Sequence, residues 1–340
     1  MFASISPPKT RSEHEMADYI EILCLVNKDH EIDASTAAHR VYEESDLDVE
    51  ADDSRYDLKI EYEDTEVEPY GSDSDDAQLE EDPNDSRNNR ANDWFLYLQS
   101  RQKLYTDFYP FIVEHRRIRR KGKLSENNRL YIYLLLSSNL RVVQRENGGI
   151  NTLTTDFERL CEIALREYLP GFYVKRCGKS LDNSSDVPSK LVDMIEYLAG
   201  EMNEPCVLTD EYRQKIGDRN TGDGGLDVLA YRRPHEDDIA EGSLIVFGQC
   251  ACGDNWIKKK REASAGEWGQ RINFFHPPAT VLFIPYGFRD SQGRWARPDI
   301  LSGCILMDRL RICRLLTGQG ITNLQSSQIV EELIGFSEDI

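Results

Sequence analysis

The chain has 340 residues, 39% of them hydrophobic, enough for two domains of ordinary size or for one domain with long appendages. No apolar run approaches the roughly 18 residues of a membrane span, and Met1 to Glu15 carries no apolar leader core, so the expectation is a cytoplasmic protein without a membrane partner. The net charge of −20 argues at first against a nucleic-acid binder, whose phosphate contacts need Lys and Arg. That charge is localised, however: of 61 acidic and 41 basic residues, 27 and 8 lie in residues 1–92, which leaves 34 and 33 in the rest.

In chain order, Ser12 to Ser45 carries apolar residues at helical spacing (Met16, Tyr19, Ile20, Leu23, Val26) and then a second helical stretch, Ser35 to Glu44, so residues 1–45 read as a small helical module. Residues 46–91 are too acidic and too poor in apolar side chains to fold alone, and they read as a disordered linker with room for a short strand at Tyr56 to Tyr62. Residues 92–150 read as a helical subdomain with the basic stretch His115 to Lys123 inside it. That stretch suits nucleic-acid phosphates, a solvated helix end, or the acidic linker itself acting as a DNA-like polyanion.

From residue 151 the pattern alternates. Thr154 or Thr155 caps a helix running to about Leu169, and Pro170-Gly171 ends it before a strand at Phe172 to Cys177. A helix at Ser189 to Met202 lies in an apparent insertion. Strands follow at Leu226 to Tyr231 and Ser243 to Cys252, then a helix from about Asp254 capped by that residue, a strand at Thr280 to Tyr286, and a strand and helix within Cys304 to Leu316. The fold class is therefore α/β (α+β), an αβββαβ core with a helical N-terminal region.

Eight cysteines (24, 161, 177, 206, 250, 252, 304 and 313) fall in apolar segments without the spacing of a disulfide framework, and they read as mostly buried thiols. Cys250 and Cys252 have no second Cys/His pair at finger spacing, the histidines show no paired metal spacing, and there is neither a phosphate-binding GxxxxGK[ST] loop nor a GxSxG elbow.

The informative segment runs from Thr221 to Trp256. Gly222, Gly224 and Gly225 permit a tight turn, Asp227 enters a strand, and the next strand carries Gln249 as a lone polar residue on the face it shares with Phe247 and Ala251. An Asp on one strand and an amide oxygen on its neighbour supply the oxygen-rich site with which Mg²⁺ or Mn²⁺ assists phosphodiester hydrolysis. Each residue also has a plainer reading: Asp223 and Asp227 as turn residues, Gln249 as a structural hydrogen-bonding group, Lys258 to Lys260 as a solvated helix face, and Glu158 and Glu162 as exposed helix residues.

Gly222-Asp223-Gly224-Gly225-Leu226-Asp227 followed by Gln249-Cys250-Ala251 resembles the Mrr-like branch of the PD-(D/E)XK nucleases, in which a helix with a Glu precedes G-D-x-G-x-D and then Q-x-K. The resemblance covers roughly residues 155 to 316 and implies a restriction-endonuclease-like domain over residues 151–340 and a DNA endonuclease of the restriction or phage-defence kind. It implies that Asp227 is the metal-binding carboxylate, Gln249 a second ligand or positioning group, and Glu158 (alternatively Glu162) an additional acid. Ala251 replaces the family's strand Lys. Either the lysine has migrated to one of Lys258, Lys259 and Lys260, or the domain is a catalytically inactive module that binds nucleic acid or a partner subunit. Nucleases of this type without the strand Lys resemble one another in a Trp followed three residues on by Lys, here Trp256 and Lys259, which singles out Lys259. Oligomerisation is compatible with either reading.

Overall fold

The structure, a computed structural model, describes residues 2, 5–8, 12–43, 83–143, 148–177, 186–216 and 224–338. It is mixed α/β, with helices, a three-stranded sheet and a five-stranded sheet. The expected strand at Tyr56 to Tyr62 and most of the expected linker lie outside the described residues.

In chain order the first elements are α1 (Glu13–Val26), β1 (Glu31–Asp33), α2 (Ala34–Glu43), α3 (Pro83–Tyr105), β2 (Phe111–Glu114), β3 (Arg117–Arg120) and α4 (Glu126–Ser137). Every residue of α1 from Met16 to Val26 is buried, so this helix is covered all round and lies inside the molecule rather than on it. Helix α3 starts at Pro83, inside the segment expected to be a linker, with its proline in the first turn where the missing N–H costs nothing. The basic stretch is a hairpin and not a helix end. Phe111, Val113 and Ile118 are buried while Glu114, Arg117 and Arg119 are exposed, the period-2 signature that a helical reading of residues 92–150 overlooks. His115 takes φ 54° at the turn, and β1 completes an antiparallel sheet of order β1-β3-β2. Helix α4 begins with a capping box in which the Ser125 hydroxyl accepts from the Asn128 N–H and the Asn128 side chain accepts from the Ser125 N–H.

The second half comprises α5 (Gly149–Tyr168), β4 (Tyr173–Arg176), α6 (Leu191–Met202), α7 (Asp210–Ile216), β5 (Val228–Arg232), β6 (Leu244–Cys250), α8 (Trp256–Lys259), α9 (Ala265–Trp268), β7 (Ala279–Phe283), β8 (Ile305–Met307), α10 (Arg309–Leu315) and α11 (Ser327–Gly335). Helix α5 starts five residues before Thr154, after a left-handed Gly148, so neither threonine is its cap. It ends where Pro170 meets Gly171 at φ 84°. Helix α8 is only four residues long, and its N-cap is Asn255, without a side-chain cap bond, rather than Asp254.

The sheet order is β4-β5-β6-β7-β8, antiparallel from β4 to β6 and parallel from β6 to β8. One face packs its Val228, Ala230, Cys250, Val281 and Phe283 against α5 and α10, in a core continuous with α1, α3 and α4. On the other face Leu229, Tyr231, Ile245 and Phe247 meet α6 and Trp268, while Ala251, Leu282 and Leu306 form a separate cluster with Trp256 of α8 and with Tyr286 and Phe288. Among the described residues no helix is long and apolar enough to cross a membrane.

The N-terminal and C-terminal halves are joined by buried charge. Arg101 of α3 and Arg309 of α10 both bond Asp18 of α1, at 2.6 and 2.7 Å, and Arg101 reaches Glu21 at 2.9 Å. Tyr109 and Tyr131 donate to Glu21 at 2.9 and 2.8 Å. Burial by itself raises the Asp18 carboxyl, but the charges of Arg309 and Arg101 outweigh it and hold the group down to about 2.

Candidate active site

Asp227 lies just before β5. Gly224 and Gly225 deliver it there with φ 63° and 80°, the left-handed region that glycine enters without strain. A side chain at Gly225 would meet Glu262 Cβ at 2.5 Å, so this turn needs glycine for space as well as for conformation. Gly222 and Asp223, the first half of the motif, lie outside the described residues.

The Asp227 backbone is stitched to both neighbouring strands: its N–H donates to Gly248 O at 3.0 Å and its carbonyl accepts from Cys177 N–H at 2.7 Å. Its buried carboxylate accepts the Cys250 N–H at 2.5 Å through Oδ2. The pairing of Val228 with Gly248, continued one step, sets Asp227 across from Gln249, so the two side chains share a face.

Gln249 is 2% exposed, and its Oε1 is buried without a hydrogen-bond partner among the described residues. It stands between Phe247, in the cluster under α6, and Ala251, in the cluster under α8. A buried amide oxygen left unbonded costs about 1–3 kcal/mol. Tyr105 Oη and Trp268 Nε1 are likewise buried without a hydrogen-bond partner among the described residues.

Ala251 is 1% exposed in an apolar cluster with Trp256. The three lysines of the next segment diverge. Lys258 is exposed, Lys260 donates to Ile300 O at 2.8 Å, and Lys259 exerts its charge on Cys252, opposing the rise that burial imposes on that thiol. Trp256, edge-on to Phe288 at 5.0 Å, anchors α8 against the sheet, and Tyr286 Oη donates to Cys252 O at 2.8 Å and so ties down the loop that leads to it.

Glu158 approaches from α5 on the opposite face. Its charge is felt at Cys161, Cys250 and Cys252, each of which also feels Asp227. Glu162 instead pairs with Arg166 at 2.8 Å along the helix surface. Around one end of β6 the fold therefore sets Asp227 and Gln249 on one face of the sheet, with Glu158 and Lys259 close enough for their charges to be felt at Cys252, which packs on the other. Among the described residues no group of three or more His, Cys, Asp or Glu side chains is placed to hold a metal ion. The oxygen donors here are two carboxylates and one amide.

No family model, no curated protein and no solved structure matches the chain.

Three features of this region have no signal in the sequence. The Cys161 and Cys250 thiols contact each other between α5 and β6, and burial pushes both up, Cys250 well above its usual range, so they remain neutral sulfur packing rather than ligands. Glu262 closes over Gly225. Glu15 of α1 lies close enough to Asp254 to feel its charge.

Burial raises the Glu15 carboxyl to about 7, with the Ser12 hydroxyl opposing and the charges of Asp18 and Asp254 adding to the rise. Its ordinary value is 4.5, so between pH 4.5 and 7 the unfolded chain releases this proton while the folded chain keeps it. Stability is lost across that window as pH rises. Glu15→Gln is therefore expected to be more stable than the parent chain at pH 8, by about 2 kcal/mol and with a higher unfolding temperature, and to match it at pH 4. An equal difference at both pH values would show that the carboxyl does not titrate there.

Proposed function

We propose that the chain is a metal-dependent deoxyribonuclease with a restriction-endonuclease-like core, acting in the cytoplasm as a restriction or phage-defence effector. The observation that carries the reading is the buried, unbonded oxygen of Gln249 beside the carboxylate of Asp227. Supporting it is the order of elements: a helix, three antiparallel strands interrupted by an insertion, short helices, and a strand parallel to the third.

Asp227 and Gln249, which would hold the metal, offer only oxygen donors, the chemistry that Mg²⁺ or Mn²⁺ prefers and soft metals do not. The metal would supply Lewis-acid polarisation of the scissile phosphate. Cys250 N–H holds one oxygen of Asp227 and so fixes the carboxylate's orientation. Gln249 positions a phosphate or metal through its oxygen, and Lys259 offers an ammonium to the charge that develops on the phosphate. Glu158, on the far face of the sheet, would assist through a water.

A competing reading, a nuclease-like fold that only binds nucleic acid or a partner subunit, draws on Ala251 in place of the strand lysine. Incubating the full chain with supercoiled plasmid and Mg²⁺ or Mn²⁺ separates the two. The proposal expects nicked and linear DNA from the parent chain and none from Asp227→Asn; intact plasmid with the parent chain would leave only the binding reading standing.

A further inference from the structure

We infer that the β2–β3 hairpin is a second nucleic-acid contact, a platform for the phosphate backbone of duplex DNA remote from the Asp227 site. The inference rests on the nuclease reading for the identity of its ligand.

Within nine residues the hairpin and its exit carry Arg116, Arg117, Arg119, Arg120, Lys121 and Lys123. Two of these are engaged: Arg117 pairs with Glu31 at 3.0 Å, and Arg120 donates to Ile334 O at 2.5 Å. Among the described residues the side chains of Arg116, Arg119, Lys121 and Lys123 form no hydrogen bond or ion pair, and all but the half-buried Lys121 are exposed. Against these six cations stand the three acidic residues paired across from β3, Glu31, Asp33 and Glu114, of which Glu31 pairs with Arg117. The surface is thus net positive in a chain of net charge −20.

The backbone beneath these cations is held from every side. Ala34 N–H donates to Arg116 O, Arg120 N–H to His30 O and Lys121 N–H to Pro110 O, each at 2.9 Å, and Gln99 Nε2 donates to His115 O at 3.0 Å. Ile118 plugs the core between the two exposed arginines. The charges are presented on a rigid ribbon, as phosphate contacts that set register require. No large apolar side chain of the hairpin is exposed, so the anchors that a protein interface or a membrane surface would need are missing from it.

The hairpin and the Asp254 segment, which leads into α8, lie toward opposite ends of α1. Glu15, near the start of α1, feels Asp254 beside the Lys259 segment, while Cys24, near the end of α1, contacts Ile118 O at 3.6 Å. Glu15 and Cys24 are separated by roughly 14 Å along α1, about four base pairs of B-DNA. Contacts so far from the reacting phosphate raise affinity without touching the chemical step.

The test measures binding of a fluorescent duplex of about 30 bp, longer than that span, by anisotropy in EDTA across a salt series with the full chain. Compared are the parent, a variant with Arg116→Gln, Arg119→Gln, Lys121→Gln and Lys123→Gln, and a charge-preserving variant with Arg116→Lys and Arg119→Lys. The inference expects the first variant to bind at least about tenfold more weakly at low salt, with the log–log salt slope shallower by about 0.9 for each phosphate that the variant no longer neutralises. The charge-preserving variant should keep the parent slope, and plasmid cleavage by the four-site variant should show a raised KM with kcat unchanged. A parent slope retained by the four-site variant, or a parent chain that does not bind the duplex, would overturn the inference. Intact plasmid with the parent chain alongside hairpin-dependent binding would instead remove the nuclease reading and leave the hairpin as a DNA-binding surface.

Discussion

Replacing Asp18 by alanine is expected to cost about 3–5 kcal/mol, a large part of the roughly 5–15 kcal/mol by which a protein is folded. Asp18 accepts from Arg101 at 2.6 Å, from Arg309 at 2.7 and 3.0 Å, and from Ser138 Oγ at 3.0 Å, and every one of these side chains is buried. Two carboxylates, Asp18 and Glu21, balance two guanidiniums. Removing one acid leaves a net positive charge sealed among Tyr105, Tyr109 and Tyr131, where neither water nor a counterion reaches it. Thermal or urea unfolding reads the effect directly, and a midpoint shift no larger than that of Asp299→Ala, an exposed partner of Arg297, would refute it. The same physics bears on dissection of the chain. A fragment starting near Asn92 contains Arg101 and Arg309 but neither acid, so it is expected to remain unfolded, and assays of DNA cleavage need the full chain.

The second large effect concerns lysine. Lys259→Ala is expected to lower kcat for plasmid cleavage by about 10²–10³, the usual consequence of removing one charge-stabilising group, while Lys258→Ala and Lys260→Ala stay within a fewfold of the parent. The contrast follows from position: Lys258 is exposed and Lys260 is committed to Ile300 O, whereas the charge of Lys259 reaches Cys252 at the end of β6. Placing a lysine on the strand at Ala251 should not rescue the variant. Ala251 is packed among Trp256, Leu282 and Ile284, and an ammonium introduced there loses its hydration without gaining a partner. Cleavage by Lys259→Ala at the parent rate, or its loss in Lys260→Ala, would assign the ammonium elsewhere.

Much of the second half is legible in the sequence because it depends on local pattern. The apolar alternation of residues 243–252 marks β6, Pro170-Gly171 marks the end of α5, and the paired glycines before Asp227 mark a turn, each within two residues of where it occurs. The hairpin escapes a reading by pattern for a local reason too: six cations in nine positions hide a period-2 alternation carried by only Phe111, Val113 and Ile118. The start of α5 at Gly149 and the brevity of α8 are not legible, because helix ends are set by packing as much as by caps.

By itself the sequence determined the mixed α/β class of the chain, the place of Asp227 and Gln249 on adjacent strands, and the absence of a lysine at the second position after Gln249. These are matters of residue order, and strand alternation carries them to a face without reference to the rest of the molecule. Tertiary structure alone decided that Lys260 is taken by Ile300 O while the charge of Lys259 is felt at Cys252, that Glu162 is spent on Arg166 while the charge of Glu158 is felt at the cysteines, and that α1 belongs inside the core held by Arg101 and Arg309. The last of these depends on partners separated by tens to hundreds of residues, and the energy of a buried charge is set by which partner the fold brings to it, a property no local window contains.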